Sequence, residues 1–307
     1  MLVGLVANPT SSKDIRRLTM LARVIDVEEK ANLVARLLVG LGSEPGVEVL
    51  AIDDQAGLMR RAVRLAGPGA PPFDFVPIEI EGSEADTRRA AAYLAEQDAA
   101  ALITVGGDGT VRAAAEGWPR APLVPVAAGT NNAFALTDEP SVVGLATAFA
   151  VSSSSDCFLP TTAIEVETTE GRALAVIDAV VVRSHWVGAG AIWEPAELVE
   201  GLVTTSRRTA VGIASVSAAF GPLQPTSVRH LHFGGNNTVR AVFGPGLVID
   251  VPVTGHIDLP VGAEVALAGE AGMVALDGER RLPAKSALVR VVDGPRVLDL
   301  EKALRVF

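Results

Sequence analysis

The chain has 307 residues, of which 49% are hydrophobic and 20% charged, so its composition is that of a globular protein with room for two ordinary domains. Its formal net charge of −10 argues against nucleic acid and anionic membranes as partners, because both repel an acidic surface. Its one cysteine, Cys157, excludes an intramolecular disulfide.

The start of the sequence has no targeting pattern. The first six residues carry no basic segment, and Asn8-Pro9 ends the apolar run too early for a signal peptide. No uninterrupted apolar run in the sequence is long enough to span a bilayer. We therefore expect a cytoplasmic protein without a membrane partner.

Strands and helices are predicted to alternate in the first half of the chain. Apolar runs bounded by turn residues indicate buried strands, and apolar residues at helical spacing indicate helices, one of them capped by Ser83 with Asp86 at the third helical position. This alternation predicts a doubly wound, Rossmann-like α/β domain over residues 1–152. The predicted strands span residues 3–7, 47–52, 75–80, 101–105 and 123–126, and the predicted helices 28–41, 55–65, 84–98, 110–116 and 141–151.

Short runs rich in Val, Ile and Thr dominate the second half. They are broken by Gly and Pro, which predicts a largely antiparallel, β-sandwich-like domain over residues 153–292. Residues 293–307 are expected to form a strand and a helix that pack back on the first domain, with the ligand cleft between the two domains. The clearest strand runs are 176–182, 247–251, 265–267 and 287–291, and two helical interruptions are predicted at 195–203 and 209–219.

The most informative loop joins a buried strand to a helix and consists of Gly106, Gly107, Asp108, Gly109 and Thr110. Glycines let a phosphate chain approach the backbone, and the N–H groups at the start of the next helix favour an anion. Asp108 would then be a Mg²⁺ ligand, a base for an attacking hydroxyl or an acceptor from a ribose hydroxyl. The alternative is a tight strand-to-helix turn with an aspartate near the helix cap.

A second loop, formed by Gly129, Thr130, Asn131 and Asn132, follows the next predicted strand. Carboxyl ends of parallel strands share one edge of the sheet, so we expect both loops to face one nucleotide site. The sequence has no P-loop motif. The segment 188–193 starts like a dinucleotide fingerprint, but a tryptophan stands where the third glycine belongs, which indicates an ordinary loop.

The four histidines, His185, His230, His232 and His256, form no zinc-like spacing with Cys157. His230 and His232 would share one face of a strand, which is more typical of an exposed pair than of a metal site. We therefore predict no metal-binding residues.

These two loops, the start Val6-Ala7-Asn8-Pro9 and the order of an α/β half before a β-rich half resemble the superfamily of NAD kinases, diacylglycerol kinases and sphingosine kinases. The stretch 7–18 is more narrowly similar to the acetoin-catabolism protein X family, described as ATP-NAD kinase-like. The resemblance implies a nucleotide ligand, ATP and Mg²⁺ as cofactors, and phosphate transfer to a hydroxyl of NAD or another soluble, nucleotide-like acceptor. A homodimer and a homotetramer are both open.

The resemblance also gives individual residues a role. Asp108 matches the proton-accepting aspartate of NAD kinases, Asn131 an asparagine that contacts the nucleotide, and Asn8 the residue that opens the nucleotide cleft. The Asn-Glu pair that holds the substrate ribose matches Ile177 and Asp178, so its asparagine is replaced here. The segment 209–211 matches a Thr-Ala-Tyr segment without its aromatic residue. Both departures argue against NAD as the acceptor.

Lipid kinases carry Gly-Thr-Gly-Asn-Asp-Phe-Ala at the second loop, where this chain has Asn131 for the second glycine and Ala133 for the aspartate. The segment 277–279 resembles their downstream Asp-Gly-Glu motif, although Asp277-Gly278 between two apolar runs is also typical of a type I′ hairpin. Three functions therefore remain open: a kinase for a soluble acceptor, a non-catalytic nucleotide-binding regulator linked to acetoin catabolism, and a kinase for diacylglycerol or a sphingoid base.

Overall fold

The computed structural model describes residues 1–11, 21–22, 24–130, 132–153, 156–169, 171–183, 194–268, 273–278, 280–283 and 286–305. The strands are β1 Leu2–Ala7, β2 Glu48–Ala51, β3 Phe73–Phe75, β4 Ala101–Gly106, β5 Pro122–Ala127, β6 Phe158–Thr168, β7 Gly171–Ala175, β8 Asp178–Val182, β9 Leu198–Val203, β10 Ser227–Gly244, β11 Leu247–Pro260, β12 Glu264–Ala268, β13 Met273–Leu276, β14 Arg280–Pro283 and β15 Ser286–Leu298. The helices are α1 Val27–Leu41, α2 Leu58–Ala66, α3 Glu84–Glu96, α4 Asp108–Gly117, α5 Pro140–Ser152, α6 Ile213–Ala218 and α7 Leu300–Leu304.

Five parallel strands form one half of the larger sheet, in the order β3-β2-β1-β4-β5. The chain moves outward from β1 through β2 and β3, then crosses back to build β4 and β5 on the other side. The order reverses between β1 and β4, where Ala7 lies beside Val105. Open α/β sheets bind ligands at such a reversal. The predicted doubly wound α/β architecture is confirmed.

Helices pack closely beside these strands. All six residues of β4 are buried, as a strand of a covered parallel sheet requires. α1 packs on α5 so closely that a Cβ on Gly40 would lie 2.2 Å from the Ser141 carbonyl oxygen. A Cβ on Gly117 in α4 would lie 2.1 Å from the Arg88 carbonyl oxygen in α3. The two glycines therefore set the helix spacing, and α4 is the helix that begins with the glycine loop.

The larger sheet continues into the second half of the chain. β15 pairs in parallel with β5 and antiparallel with β6 and β12, and β6 pairs with β7. A second, antiparallel sheet has the order β11-β10-β9-β8-β13-β14. Apolar side chains such as Val166, Leu202 and Val289 form a second core with residues from both sheets. The antiparallel, β-rich second half is confirmed, and one of its sheets is continuous with the parallel strands.

Three element predictions are wrong in detail. The strand predicted at 75–80 is β3, which ends at Phe75, and residues 76–80 form no strand. The helix predicted at 195–203 is mostly β9, a strand that lies between β8 and β10. Its Gly201 allows close contact, since a Cβ there would lie 2.7 Å from Val180 Cγ2. The strand predicted at 176–182 starts only at Asp178, and the preceding backbone N–H groups bind the Asp277 carboxylate instead of a neighbouring strand.

The predicted hairpin at Asp277-Gly278 is confirmed, because β13 and β14 pair antiparallel and both residues have positive φ, 50° and 69°. Leu276 pairs with Arg280, so the turn contains three residues rather than the two of a type I′ turn.

After β15 the chain turns into α7, which packs on α5. Asp299 caps α7, since its side chain accepts from the Lys302 N–H at 3.0 Å, and its own N–H donates to the Cys157 carbonyl at 2.8 Å. Among the residues that the structure describes, no helix is long and apolar enough to cross a membrane.

Candidate functional site

The glycine loop is held between two neighbouring strands at the switch point. Asn8, directly after β1, donates its N–H to the Val105 carbonyl at 2.9 Å and its side-chain amide to Thr110 Oγ1 at 3.3 Å. Thr110 packs back against Gly106, where a Cβ would lie 2.3 Å from the Thr110 hydroxyl oxygen. Glycine at 106 is therefore required by the packing of Thr110, and Asn8 ties the end of β1 to the loop.

Asp108 joins the two predicted nucleotide loops. It is 1% exposed and occupies the first position of α4. One carboxylate oxygen accepts from the Ala133 N–H and the other from the Phe134 N–H, both at 3.0 Å. The side chain thus ties Ala133 and Phe134 to the start of α4.

The second loop is shaped by its own asparagine. The Asn132 side chain accepts from the Gly129 N–H at 3.0 Å and donates to the Gly129 carbonyl at 2.8 Å. The Ala128 N–H donates to the Gly106 carbonyl at 2.8 Å, which places the second loop beside the first. The predicted contact residue Asn131 lies outside the described residues.

These loops line a cleft of about 600 Å³, within the range of about 300–1,000 Å³ typical of small-molecule sites. The sequence-predicted residues Asn8, Gly107, Gly109, Thr110, Gly129 and Thr130 are in its lining, whereas Gly106, Asp108, Asn132 and Asp178 are not. Other lining residues come from the segments after β2 and β3 and from the starts of α3 and α4: Ile52, Asp54, Gln55, Ala56, Ile80, Gly82, Ser83, Glu84, Asp86, Thr87, Arg112 and Ala113.

Two carboxylates of this lining are used to start helices. Asp54 accepts from the Leu58 and Met59 N–H groups at 3.1 and 2.9 Å and so caps α2. Asp86 accepts from the Ser83 N–H at 3.1 Å, and Ser83 accepts from α3 in return, which confirms the predicted capping box. Both carboxylates therefore hold helix starts at the edge of the cleft.

Lys30 is a site residue that the sequence analysis missed. It is fully buried on α1, and its ammonium group donates to the carbonyls of Asn8, Pro9 and Ser11 at 3.2, 3.0 and 2.6 Å. A buried ammonium must be hydrogen-bonded to avoid a large desolvation cost. Lys30 therefore fixes the loop after β1. The available signal was a lysine among the apolar positions of a predicted helix.

Arg112 links the cleft to the second sheet. It is 2% exposed on α4 and donates to Glu84 Oε2 at 2.9 Å, and its Nη1 lies 3.7 Å from Asp277 Oδ2. The other Asp277 oxygen accepts from the N–H groups of Val176, Ile177 and Asp178 at 3.0, 2.7 and 3.2 Å. Burial raises the pKa of Asp277 to about 7, and the Arg112 charge and these backbone hydrogen bonds oppose that rise.

The pair that matches the ribose-binding residues of NAD kinases lies at this junction. Ile177 is buried in the larger apolar core, and Asp178 is a buried residue of β8 that pairs with Val203. The Thr204 hydroxyl donates to the Val176 carbonyl at 2.7 Å and holds the same turn. The structure therefore brings Ile177 and Asp178 next to Asp277 rather than into the cleft lining.

Arg207 lies on the Asp108 side of the site. Its guanidinium donates to the Ala133 carbonyl, in the loop whose N–H group binds Asp108. Burial lowers the pKa of Arg207, and the Asp108 charge opposes that shift. Arg207, which follows β9, thus contacts the loop that holds Asp108, although the two are far apart in sequence.

Comparison with known proteins matches both halves of the chain. Residues 3–150 match the family model described as the ATP-NAD kinase N-terminal domain, and residues 162–292 match the acetoin catabolism protein X C-terminal domain. The chain is 32% identical over 300 residues to acetoin catabolism protein X of Cupriavidus necator, covering 91% of this chain and 84% of that protein.

Solved structures share the fold. A yeast NADH kinase complexed with NADH has a TM-score of 0.51 at 14% identity, covering 97% of this chain and 83% of its own. A putative diacylglycerol kinase from Bacillus anthracis has a TM-score of 0.53 at 11% identity, covering 96% of both chains. At these identities the likeness concerns the fold. Together with the curated relative, these matches place the chain in the acetoin catabolism protein X family, with a kinase-like fold of the NAD kinase and diacylglycerol kinase type.

Proposed function

We propose that this protein binds a nucleotide in the cleft at the β1–β4 switch point and transfers a phosphoryl group from ATP to a hydroxyl of a soluble, nucleotide-like acceptor. The observation that carries the proposal is the junction at Asp108, where a buried carboxylate, a glycine loop and the loop at 129–134 meet beside the cleft.

The cleft suits a phosphate chain. Gly107 and Gly109 line it at the start of α4, where backbone N–H groups lack a carbonyl one turn earlier and the helix dipole favours an anion. Arg112 lies in the same wall, with its guanidinium between Glu84 and Asp277. In this proposal the backbone N–H groups at the start of α4 therefore carry the affinity for the phosphate chain.

Mg²⁺ would enter with ATP. It takes oxygen ligands and usually keeps several waters, so one carboxylate and the phosphates suffice to hold it. Glu84 lines the cleft with a side chain that is 44% exposed, and it is the residue we assign to this ion. The ion would neutralise charge that develops on the transferred phosphoryl group.

Asp108 acts as the proton acceptor in this mechanism. The acceptor hydroxyl donates to the Asp108 carboxylate and attacks the terminal phosphorus of ATP. The bond from that phosphorus to the bridging oxygen breaks, ADP leaves, and the hydroxyl proton passes to Asp108. The Ala133 and Phe134 N–H groups hold the carboxylate in place, and Arg207 binds the same loop.

NAD is a poor acceptor in this proposal. Ile177 stands where NAD kinases have the asparagine that holds the substrate ribose, and its apolar side chain is buried outside the cleft lining, so it offers a ribose hydroxyl no hydrogen bond. A buried hydroxyl left without a hydrogen bond costs about 1–3 kcal/mol, or roughly ten- to a hundredfold in specificity. We therefore expect weak phosphorylation of NAD and a different soluble hydroxyl as the preferred acceptor.

A second function, nucleotide-binding regulation linked to acetoin catabolism, is favoured by one observation. Both oxygens of Asp108 bind backbone N–H groups of a neighbouring loop, so this aspartate has a structural role even without chemistry. A regulator of this kind would bind ATP or NAD and release no ADP.

The deciding experiment combines binding with turnover. The protein is incubated with Mg²⁺-ATP and a panel of soluble hydroxyl compounds including NAD, while ADP release and the melting temperature are followed. We expect a nucleotide to raise the melting temperature and ADP release to depend on an acceptor other than NAD. Stabilisation without ADP release for any acceptor supports the regulator, and no stabilisation by any nucleotide contradicts both functions.

A matched pair of variants locates the binding. Thr110→Val removes the hydroxyl that packs between Gly106 and Asn8 in the cleft wall, whereas Thr168→Val makes the same change at the end of β6. We expect ATP to raise the melting temperature less in Thr110→Val than in the wild type, and equally in Thr168→Val. Equal stabilisation of both variants would place the nucleotide elsewhere.

A further inference from the structure

Two neighbouring strands of the second sheet bring three ligating side chains together. Glu200 on β9 lies directly opposite His232 on β10, and His230 is two residues earlier on the same strand and face. Their ligand atoms all lie within 4.8 Å of one another. Sequence spacing could not show this group, because the third member is on another strand.

The distances fit a metal ion. His230 Nε2 is 3.0 Å and His232 Nδ1 3.7 Å from the same carboxylate oxygen of Glu200. A tetrahedral ion with bonds of about 2.0–2.2 Å separates its ligands by about 3.3–3.6 Å. The two observed separations lie just below and just above this range, so small side-chain rotations bring both into it. The two imidazole rings are already adjacent, with centroids 4.3 Å apart.

Burial holds two of the three side chains in place. His230 is 5% exposed and Glu200 partly buried, which fixes two ligands on paired strands, while His232 is 47% exposed and faces solvent.

We propose that Glu200, His230 and His232 bind a divalent transition metal of the zinc class, with the fourth coordination position open to water. Two imidazoles and one carboxylate suit Zn²⁺, Fe²⁺, Ni²⁺ or Cu²⁺, whereas Mg²⁺ and Ca²⁺ prefer an all-oxygen set. The proposal does not depend on nucleotide binding, since none of the three residues lines the cleft.

The test uses the full chain, freed of any affinity tag and stripped with a chelator, titrated with ZnCl₂ by calorimetry. We expect one Zn²⁺ per chain, no displacement by excess Mg²⁺, and a visible spectrum typical of low coordination number when Co²⁺ replaces Zn²⁺. No binding, or equal competition by Mg²⁺, would overturn the proposal.

Three variants locate the ion. His232→Ala and Glu200→Gln each remove one ligand, and we expect at least about a tenfold loss of Zn²⁺ affinity in both. Glu200→Gln keeps an acceptor for His230, and His232 is half exposed, so both variants should fold. His256→Ala is the control, because His256 pairs with Leu231 on the opposite face and contacts the Phe220 ring. Equal affinity in wild type and His232→Ala would overturn the site.

Discussion

Two buried aspartates hold distant loops in this protein, one in each half. Asp108, at the start of a helix, accepts one backbone N–H on each carboxylate oxygen. Asp277, in a hairpin turn, accepts three on one oxygen, and its other oxygen faces Arg112 at 3.7 Å. Burial of this unevenly bonded carboxylate raises its pKa to about 7. The comparison shows that three backbone donors on one oxygen and an arginine beside the other do not offset the burial of Asp277.

The largest effect should come from Asp108→Asn. The amide cannot take a proton and would place an NH₂ group against a backbone N–H. We expect turnover, measured as acceptor-dependent ADP release, to fall by about 10²–10⁴-fold. Asp250→Asn is the control, since Asp250 is an exposed residue paired with Arg240 on the hairpin of β10 and β11. Unchanged turnover in Asp108→Asn would leave Asp108 with the structural role alone.

Asp277→Ala should destabilise the fold without touching the cleft lining. It leaves three buried backbone N–H groups without their acceptor, at about 1–3 kcal/mol for each unpaired group. We expect a loss of about 3 kcal/mol in the free energy of unfolding, measured with urea. Asp277→Asn keeps one oxygen for these donors and should lose less. Equal losses in both variants would show that the carboxylate charge, not its acceptor oxygen, holds the turn.

The stability of the protein should also fall as the pH rises from about 5 to 8. Asp277 has a pKa of about 7 when folded, against about 3.9 in an unfolded chain. The folded state therefore binds the proton more tightly, and this contribution is present at low pH and lost through pH 7. It amounts to roughly 3 kcal/mol between pH 5 and 8. Asp277→Asn should remove this part of the slope in urea titrations; an unchanged slope would contradict it.

Gly106→Ala tests the packing on the Asp108 side. The added Cβ would lie 2.3 Å from Thr110 Oγ1 and must displace it. Overpacking of this kind costs about 1–3 kcal/mol, and nucleotide stabilisation should fall with it. Gly255→Ala is the matched control, because a Cβ there meets no atom within 4 Å. If the two variants unfold at the same urea concentration, Thr110 accommodates the methyl group and Gly106 has no packing role.

The smallest effect should follow from Glu84→Gln. Removing this carboxylate leaves the Arg112 charge less compensated near Asp277. The pKa of Asp277 should then fall, and the pH midpoint of the stability change should move lower. Because the Glu84 side chain is 44% exposed, we expect a change in stability below about 1 kcal/mol at neutral pH. A midpoint that moves upward would contradict the assigned direction of the Arg112 effect.

The parallel half of the fold was predictable because its information is local. An apolar run at 101–105 followed by glycines indicates a buried strand and a turn wherever it occurs, and Ser83 with Asp86 indicates a helix start. The Asp277 hairpin was predictable for the same reason, since its turn chemistry lies in adjacent residues. The site boundaries and the division of the chain at residue 152 remain predictions.

The remaining contacts were not predictable because they depend on pairing between distant residues. Asp277 binds N–H groups about a hundred positions earlier, and Glu200 meets His232 only once β9 and β10 align. The sequence of β9 lacks a clear alternation of apolar and polar residues, so it was predicted as a helix. It forms a strand because it pairs with a strand on each side. Arg112 and Arg207 gave no local signal for the same reason.

The position of β15 has a consequence for how the protein is made. This strand separates β5 from β6, so both have an unpaired edge until residues 286–298 have left the ribosome. The five parallel strands can assemble earlier, but the unpaired edge of β5 can then form hydrogen bonds with strands of other chains. Because the larger sheet is complete only after its last strand has been synthesised, we expect slow folding and a long period in which the chain can aggregate. A nascent chain halted before β15 should accordingly depend on chaperones, although its nucleotide loops are already complete.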